Sequence, residues 1–151
     1  MVWGCMGWFG VGVLEVIEGI MNAEKFVDIL ETSLLSTLEG AGLDRERVIF
    51  QQDNDPKHTS VRAKEWLRSE EIEVMKWPAQ SPDLNPIEHL WSELKRRLNQ
   101  DEAPQKSIAD FRTRVGEAWM DLPVETVRDL IRSMPRRCAA VIQAKGAWTK
   151  Y

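Results

Sequence analysis

The stretch from Val48 to Trp77 constrains the fold of this chain more than any other part of it. Val48-Ile49-Phe50 is a compact apolar run that ends in polar Gln51-Gln52-Asp53. That is the pattern of a buried strand whose C-terminal end delivers side chains to a site. Thr59 or Ser60 then caps a helix with Val61, Ala63, Trp66 and Leu67 packing inward, and Ile72–Trp77 reads as another strand.

The flanks extend this alternation. Val2–Trp8 and Val11–Glu18 are short, apolar and rich in β-branched or aromatic residues, so they read as paired antiparallel strands around a turn at Phe9-Gly10. Asn22 caps a helix whose stripe is Phe26, Ile29, Leu30, Leu34 and Leu38, and Gly40 and Gly42 stop it. Pro78–Leu84 is a loop. Asn85-Pro86 then opens a helix to about Leu98, with Ile87, Leu90, Trp91, Leu94 and Leu98 on its apolar face. Ser107 opens one more segment through Ile108, Phe111, Val115, Ala118 and Trp119; Pro123 opens another, and a short helix past Pro135 runs to Gly146. The order is strand, strand, helix, strand, helix, strand, then helices: an α/β layer with a helical tail. A core over 1–100 and C-terminal helices over 105–151 are expected to form one domain.

Composition narrows the function classes. The formal charge of −4 argues against a basic protein that coats nucleic acid without specificity. Residues 1–85 hold 8 Lys/Arg against 15 Asp/Glu, and residues 86–151 hold 12 against 9, so a polyanion-binding face is expected in the C-terminal half. Cys5 and Cys138 make no disulfide framework or zinc spacing and read as reduced thiols of an intracellular protein. No uncharged run approaches the ~20 residues of a membrane helix, and no signal peptide is readable at Met1. The seven tryptophans are expected in the core or over its edges.

Two acids stand out. Asp53 ends a strand, where a carboxylate can ligate a hard cation such as Mg²⁺, although an Asp there is more often a turn residue. Glu88 is the third residue of a helix that Asn85 caps, a capping-box position that also faces strand ends. Lys57 and His58 precede a helix, and His58 could touch a phosphate or help the cap. Lys95, Arg96 and Arg97 complement the last turns of the Glu88 helix, with phosphate contact as the alternative; Arg136-Arg137 belong to the same class.

Taken together, Phe50-Gln51-Gln52-Asp53-Asn54-Asp55-Pro56-Lys57-His58-Thr59 and Trp77-Pro78-Ala79-Gln80-Ser81-Pro82-Asp83-Leu84-Asn85-Pro86-Ile87-Glu88-His89-Leu90-Trp91 closely resemble the catalytic core of Tc/mariner-type transposases. The 34 residues between Asp53 and Glu88 match the spacing of the Tc branch. Val2-Trp3-Gly4-Cys5, Met21–Phe26 and Ser133–Arg137 through Tyr151 resemble that family too. The resemblance implies a ribonuclease-H-like mixed sheet flanked by helices. It also implies three carboxylates holding two Mg²⁺ (or Mn²⁺) ions for cleavage and strand transfer of DNA, by the two-metal logic.

By matching positions Asp53 is the second carboxylate and Glu88 the third, and Lys57, His58, Lys95, Arg96 and Arg97 are the expected nucleic-acid contacts. The first carboxylate belongs on a strand upstream of Val2, central in the sheet between the strands at Val2–Trp8 and Val48–Phe50. Without it both neighbours leave backbone groups unpaired. The expectation is therefore a transposase catalytic-domain fragment, inactive for lack of the first Asp, starting at an internal Met as a decayed or mis-called gene copy would. The alternative is a non-catalytic module binding nucleic acid or a transposase. Transposon-end DNA, a possible homo-oligomer and a nuclear location follow from the resemblance; a membrane and a small-molecule substrate do not.

Overall fold

Two strands open the chain, β1 (Val2–Gly7) and β2 (Gly10–Val16), joined by Trp8-Phe9 one residue earlier than the sequence suggests. A two-residue connection makes them antiparallel, and Ile17 N–H closes the ladder on the Met1 carbonyl at 2.8 Å. Glycine is needed at both ends of the turn. Gly10 has φ +121° with Val124 Cγ2 3.2 Å from where a Cβ would lie, and a Cβ at Gly7 would collide with the Phe9 ring. The computed structural model describes residues 1–100 and 107–151. The expected boundary between core and tail therefore lies outside the described residues.

Those residues form two compact units. The first comprises Met1–Gly4 and Gly12–Ser81; the second comprises the hairpin tip Cys5–Val11 and Pro82–Tyr151.

In the first unit Asn22 caps α1 (Ala23–Ile29) as expected, its side chain accepting the Lys25 N–H. The helix continues through a π-helical turn, Leu30–Leu34, into α2 (Leu35–Gly40). Three hydroxyls bond back to carbonyls four residues earlier here: Thr32 to Asp28, Ser36 to Thr32 and Thr37 to Ser33. Such bonds compete with the backbone ladder and accompany the local change of pitch. Thr37 Oγ1 also accepts the Val13 N–H at 2.9 Å, which pins β2 to the helix. The expected stripe is buried, with Phe26 1%, Leu30 0% and Leu38 4% exposed. Gly42 ends the run at φ +64°.

Strand β3 (Ile49–Phe50) and strand β4 (Glu73–Val74) pair in parallel, Ile49 opposite Glu73 and Phe50 opposite Val74. Both are shorter than the runs that announce them. The expected buried strand needs correction, because Ile49 is 56% exposed. Among the described residues the strands make two separate two-stranded sheets, so β3 has a partner on one side only.

Helix α3 (Val61–Ser69), crossing between them, is capped by Ser60, which accepts the Ala63 N–H. Ala63 and Leu67 are buried, but Val61 is 71% exposed rather than inward, since the first helical residue lies beyond the packed turn. The helix ends in a Schellman motif: Ile72 N–H reaches the Leu67 carbonyl and Glu71 N–H the Arg68 carbonyl, with Glu71 at φ 59°.

The second unit is helical. A 3₁₀ turn, Pro82–Leu84, leads into α4 (Ile87–Gln100). Then come α5 (Ile108–Met120), α6 (Val124–Arg132) and α7 (Met134–Gln143). Ser107 caps α5 as the sequence indicates, although Ile108 is 65% exposed. The core is Leu90, Leu94, Val115, Trp119, Leu122 and Val127, with Trp91 stacked on Trp119 at 4.8 Å. Trp8, half exposed, lies under the guanidinium groups of Arg128 and Arg132. Neither cysteine is in a disulfide, and no described helix is long and apolar enough to cross a membrane.

Candidate active site

Asp53 follows β3 by three residues, in a corner held by its own side chains. Its Oδ1 accepts two hydrogen bonds, from the Asp55 N–H at 3.1 Å and from His58 Nδ1 at 2.6 Å. A carboxylate accepts only, so His58 carries its proton on Nδ1. The His58 ring is itself held: it packs on Phe26 with centroids 4.3 Å apart, and Gln52 Nε2 donates to the His58 carbonyl. One oxygen of Asp53 is thus fixed while the side chain as a whole is 57% exposed. A hard cation takes an oxygen ligand of this kind.

The corner is tied down on both flanks. Asn54 Nδ2 donates to the Trp77 carbonyl at 2.9 Å, joining the end of β3 to the segment after β4. Asp55 accepts the Lys57 N–H and pairs with Lys57 Nζ. Lys57, chiefly through that side-chain bond, holds the Asp55 carboxyl below its ordinary pKa against the opposing effect of burial. Three buried polar atoms in this segment lack a partner among the described residues: Gln51 Nε2, Gln52 Oε1 and His58 Nε2. Unpaired buried groups are rare in folded chains and mark places where something further binds or strain is stored.

Glu88 sits in the first turn of α4, exposed, its N–H on the Asn85 carbonyl at 3.3 Å. The expected capping box needs correction on the Asn85 side. Asn85 is buried and its Oδ1 has no hydrogen-bond partner among the described residues, because the preceding 3₁₀ turn, closed by Asn85 N–H on the Pro82 carbonyl, sets its orientation. What fixes the approach to Glu88 instead is Arg137 of α7, 1% exposed. It donates to the Asp83 carbonyl at 2.8 Å, to Ser133 Oγ at 2.8 Å and to His89 Nδ1 at 3.2 Å, and lies over the Tyr151 ring. Burial, and secondarily the Arg137 charge, holds the His89 pKa below its ordinary value, which keeps Nδ1 an acceptor. Asp83, also buried, accepts from Thr149 Oγ1 and the Leu84 N–H. Arg137 is therefore a structural anchor, not an exposed phosphate contact. The Ser133–Arg137 spacing of four on one helix face was the available sequence signal.

The expected nucleic-acid contacts are placed unevenly. His58 and Lys57 are engaged by Asp53 and Asp55. Arg96 and Arg97 both bond Glu93, at 2.7 and 2.9 Å, and their hydrogen bonds lower the Glu93 pKa to about 2. Lys95 is exposed. Among the described residues, no three His, Cys, Asp or Glu side chains come together in a group that could hold a metal. Asp53 has the right donor chemistry for Mg²⁺ or Mn²⁺ but not, among those residues, a full ligand set.

With this geometry in hand, the chain can be compared with known proteins. Residues 10–112 match the profile of the family described as DDE superfamily endonuclease. Along 100% of its length the chain is 45% identical to the Tc1 transposase of Caenorhabditis elegans and 47% identical to the Tcb1 transposase of Caenorhabditis briggsae. The chain belongs to the DDE superfamily of endonucleases. Within it, the match is to a transposase catalytic domain of Tc/mariner type. The chain spans about half of those relatives, 54% of each. The fold agrees. The Mos1 mariner transposase catalytic domain superposes with TM-score 0.87 at 24% identity, covering 99% of this chain and 75% of that one. A second structure of that domain, solved with raltegravir and Mn, gives TM-score 0.88 at 24% identity, covering 99% of this chain and 76% of that one. The α/β, ribonuclease-H-like class expected from the sequence is the class observed.

Proposed function

We propose that Asp53 and Glu88 are two of the carboxylates of a metal-dependent phosphodiester-cleaving site, acting in DNA transposition. The observation that carries this reading is Asp53 itself. In a chain of this superfamily, it follows a strand with one oxygen held by His58 and Asp55 and the other, among the described residues, without a hydrogen bond. Glu88, in the first turn of α4, is the acid that would complete its side of the site. Asp53 and Glu88 would hold Mg²⁺ or Mn²⁺, which when bound stabilises the charge on the attacking and leaving oxygens. The chain's own contribution is to aim those oxygens: His58 and the Asp55 N–H fix Asp53, and Arg137 fixes the turn before Glu88.

The described residues supply no three-acid group, and in this reading the third acid comes from a strand upstream of β1, as the family resemblance implies. The 151-residue chain alone should therefore leave supercoiled plasmid intact with Mg²⁺ or Mn²⁺. Joined to an upstream strand ending in Asp, it should nick that plasmid, and Asp53→Ala should return it to background. Cleavage by the 151-residue chain that disappears in Asp53→Ala would contradict the need for a third acid. The same absence of a three-acid group favours, as second reading, a module that binds DNA or a transposase without cutting. Failure of the extended chain to nick, with DNA binding intact, selects it. Transposon-end DNA as partner, contacts from Lys57, His58 and the Lys95–Arg97 turn, self-association and a nuclear location are parts of this proposal, motivated by the relatives.

A further inference from the structure

Within the first unit an open groove of about 560 Å³ runs beside Asp53. Its floor is Leu67 of α3 and Ile72, both under 5% exposed. One wall is α3, which presents Lys64 and Arg68 four residues apart and hence on one face. The other wall follows β4 and carries Lys76, with half-buried Trp77 and Asp53 also in the lining. The Schellman turn at Glu70-Glu71 buries Ile72 and leads directly into β4, which makes the floor apolar.

The groove gathers cations that are not paired with acids, unlike several others in the chain. Arg96, Arg97, Arg128, Arg132 and Lys57 each share a carboxylate within 3.3 Å. Lys64, Arg68 and Lys76 are exposed, and among the described residues their side chains make no ion pair or hydrogen bond. In a region with a charge balance of −7, three unpaired cations lining one groove are complementary to a polyanion. An aromatic ring beside an apolar floor adds a surface on which an unpaired base stacks, which bases inside a duplex cannot do.

We infer that this groove binds a single strand of DNA. Its phosphates lie against Lys64, Arg68 and Lys76, and a base stacks on Trp77. The strand enters or leaves the Asp53 end of the groove, so the direction in which it runs rests on the proposed role of Asp53. The binding itself does not.

The test is fluorescence anisotropy of a labelled oligothymidylate in EDTA, which makes it independent of any metal and of cleavage. Binding should weaken with salt, with a slope near −0.7 per phosphate contact. Lys64→Ala, Arg68→Ala and Lys76→Ala, all at exposed positions, should each weaken binding severalfold and reduce that slope by about one contact. Trp77→Ala should cost about tenfold at every salt concentration, since stacking is not ionic, and Trp77→Phe should recover most of it. Arg47→Ala, at an exposed cation outside the groove, should bind as the unmodified chain does. The inference is overturned if the triple Lys64→Ala/Arg68→Ala/Lys76→Ala variant, folded by circular dichroism, binds normally. It is equally overturned if a blunt duplex or poly-glutamate competes as well as the single strand.

Discussion

His58 and Arg137 do comparable work in the two units. Each turns a loose polar corner into a fixed one by offering donors to oxygens that would otherwise be free to rotate. Arg137 is the more costly to lose, because it is buried and spans three partners. Arg137→Ala should destabilise the chain by about 3 kcal/mol, the sum of unpaired polar groups and a cavity. Arg137→Lys should recover only part, since a single ammonium cannot reproduce the planar fork. Urea titration measures both. Glu93 offers a pH test. Its pKa of about 2, against 4.5 ordinarily, is set first by the Arg96 hydrogen bond and then by that of Arg97. A carboxyl with a depressed folded-state pKa adds stability that is fully present above 4.5 and lost as pH falls toward 2. The gap in melting temperature between the unmodified chain and Glu93→Gln should be small, shrink with salt, and close across that window.

Helix termini were the best-read elements. Asn22, Ser60 and Ser107 all cap as their side chains suggest; the stripe that begins in α1 is buried throughout, and that of α4 is buried at Leu90 and Leu94 with Ile87, Trp91 and Leu98 half-buried. Asn85 failed because a cap depends on how the chain arrives, and a 3₁₀ turn precedes it. The C-terminal ends hold a detail that periodicity does not carry: Glu71 and Lys145 sit in the left-handed region at φ 59° and 53°, where glycine is the usual occupant. Glu71→Gly should therefore stabilise the chain by about 1 kcal/mol, by removing the cost of a Cβ there. A loss of stability in the same melt would show that the Glu71 side chain matters more than its backbone. Ile49 marks the limit of reading strands singly. The run Val48–Phe50 announces a strand correctly, but whether it is covered depends on neighbours from elsewhere in the chain.

At the scale of the molecule, membership of the DDE superfamily was readable from two motifs, because their residues recur as whole phrases rather than single acids. The charge asymmetry describes where cations are, not which are paired. Counting places the excess of cations in the C-terminal half, whereas pairing decides which of them are available: Glu93 occupies Arg96 and Arg97, and the acidic half holds Lys64, Arg68 and Lys76 without an ion pair among the described residues. The central claim is that Asp53 and Glu88 serve one metal site. A titration of the chain with Mn²⁺, followed by the electron paramagnetic resonance of the free ion, tests it most directly. Asp53→Asn and Glu88→Gln should each weaken binding by about tenfold or more, and the double variant by little beyond either single one, as ligands of one ion do. If Glu88→Gln binds Mn²⁺ as tightly as the unmodified chain while Asp53→Asn does not, the two acids do not share a site and the account fails.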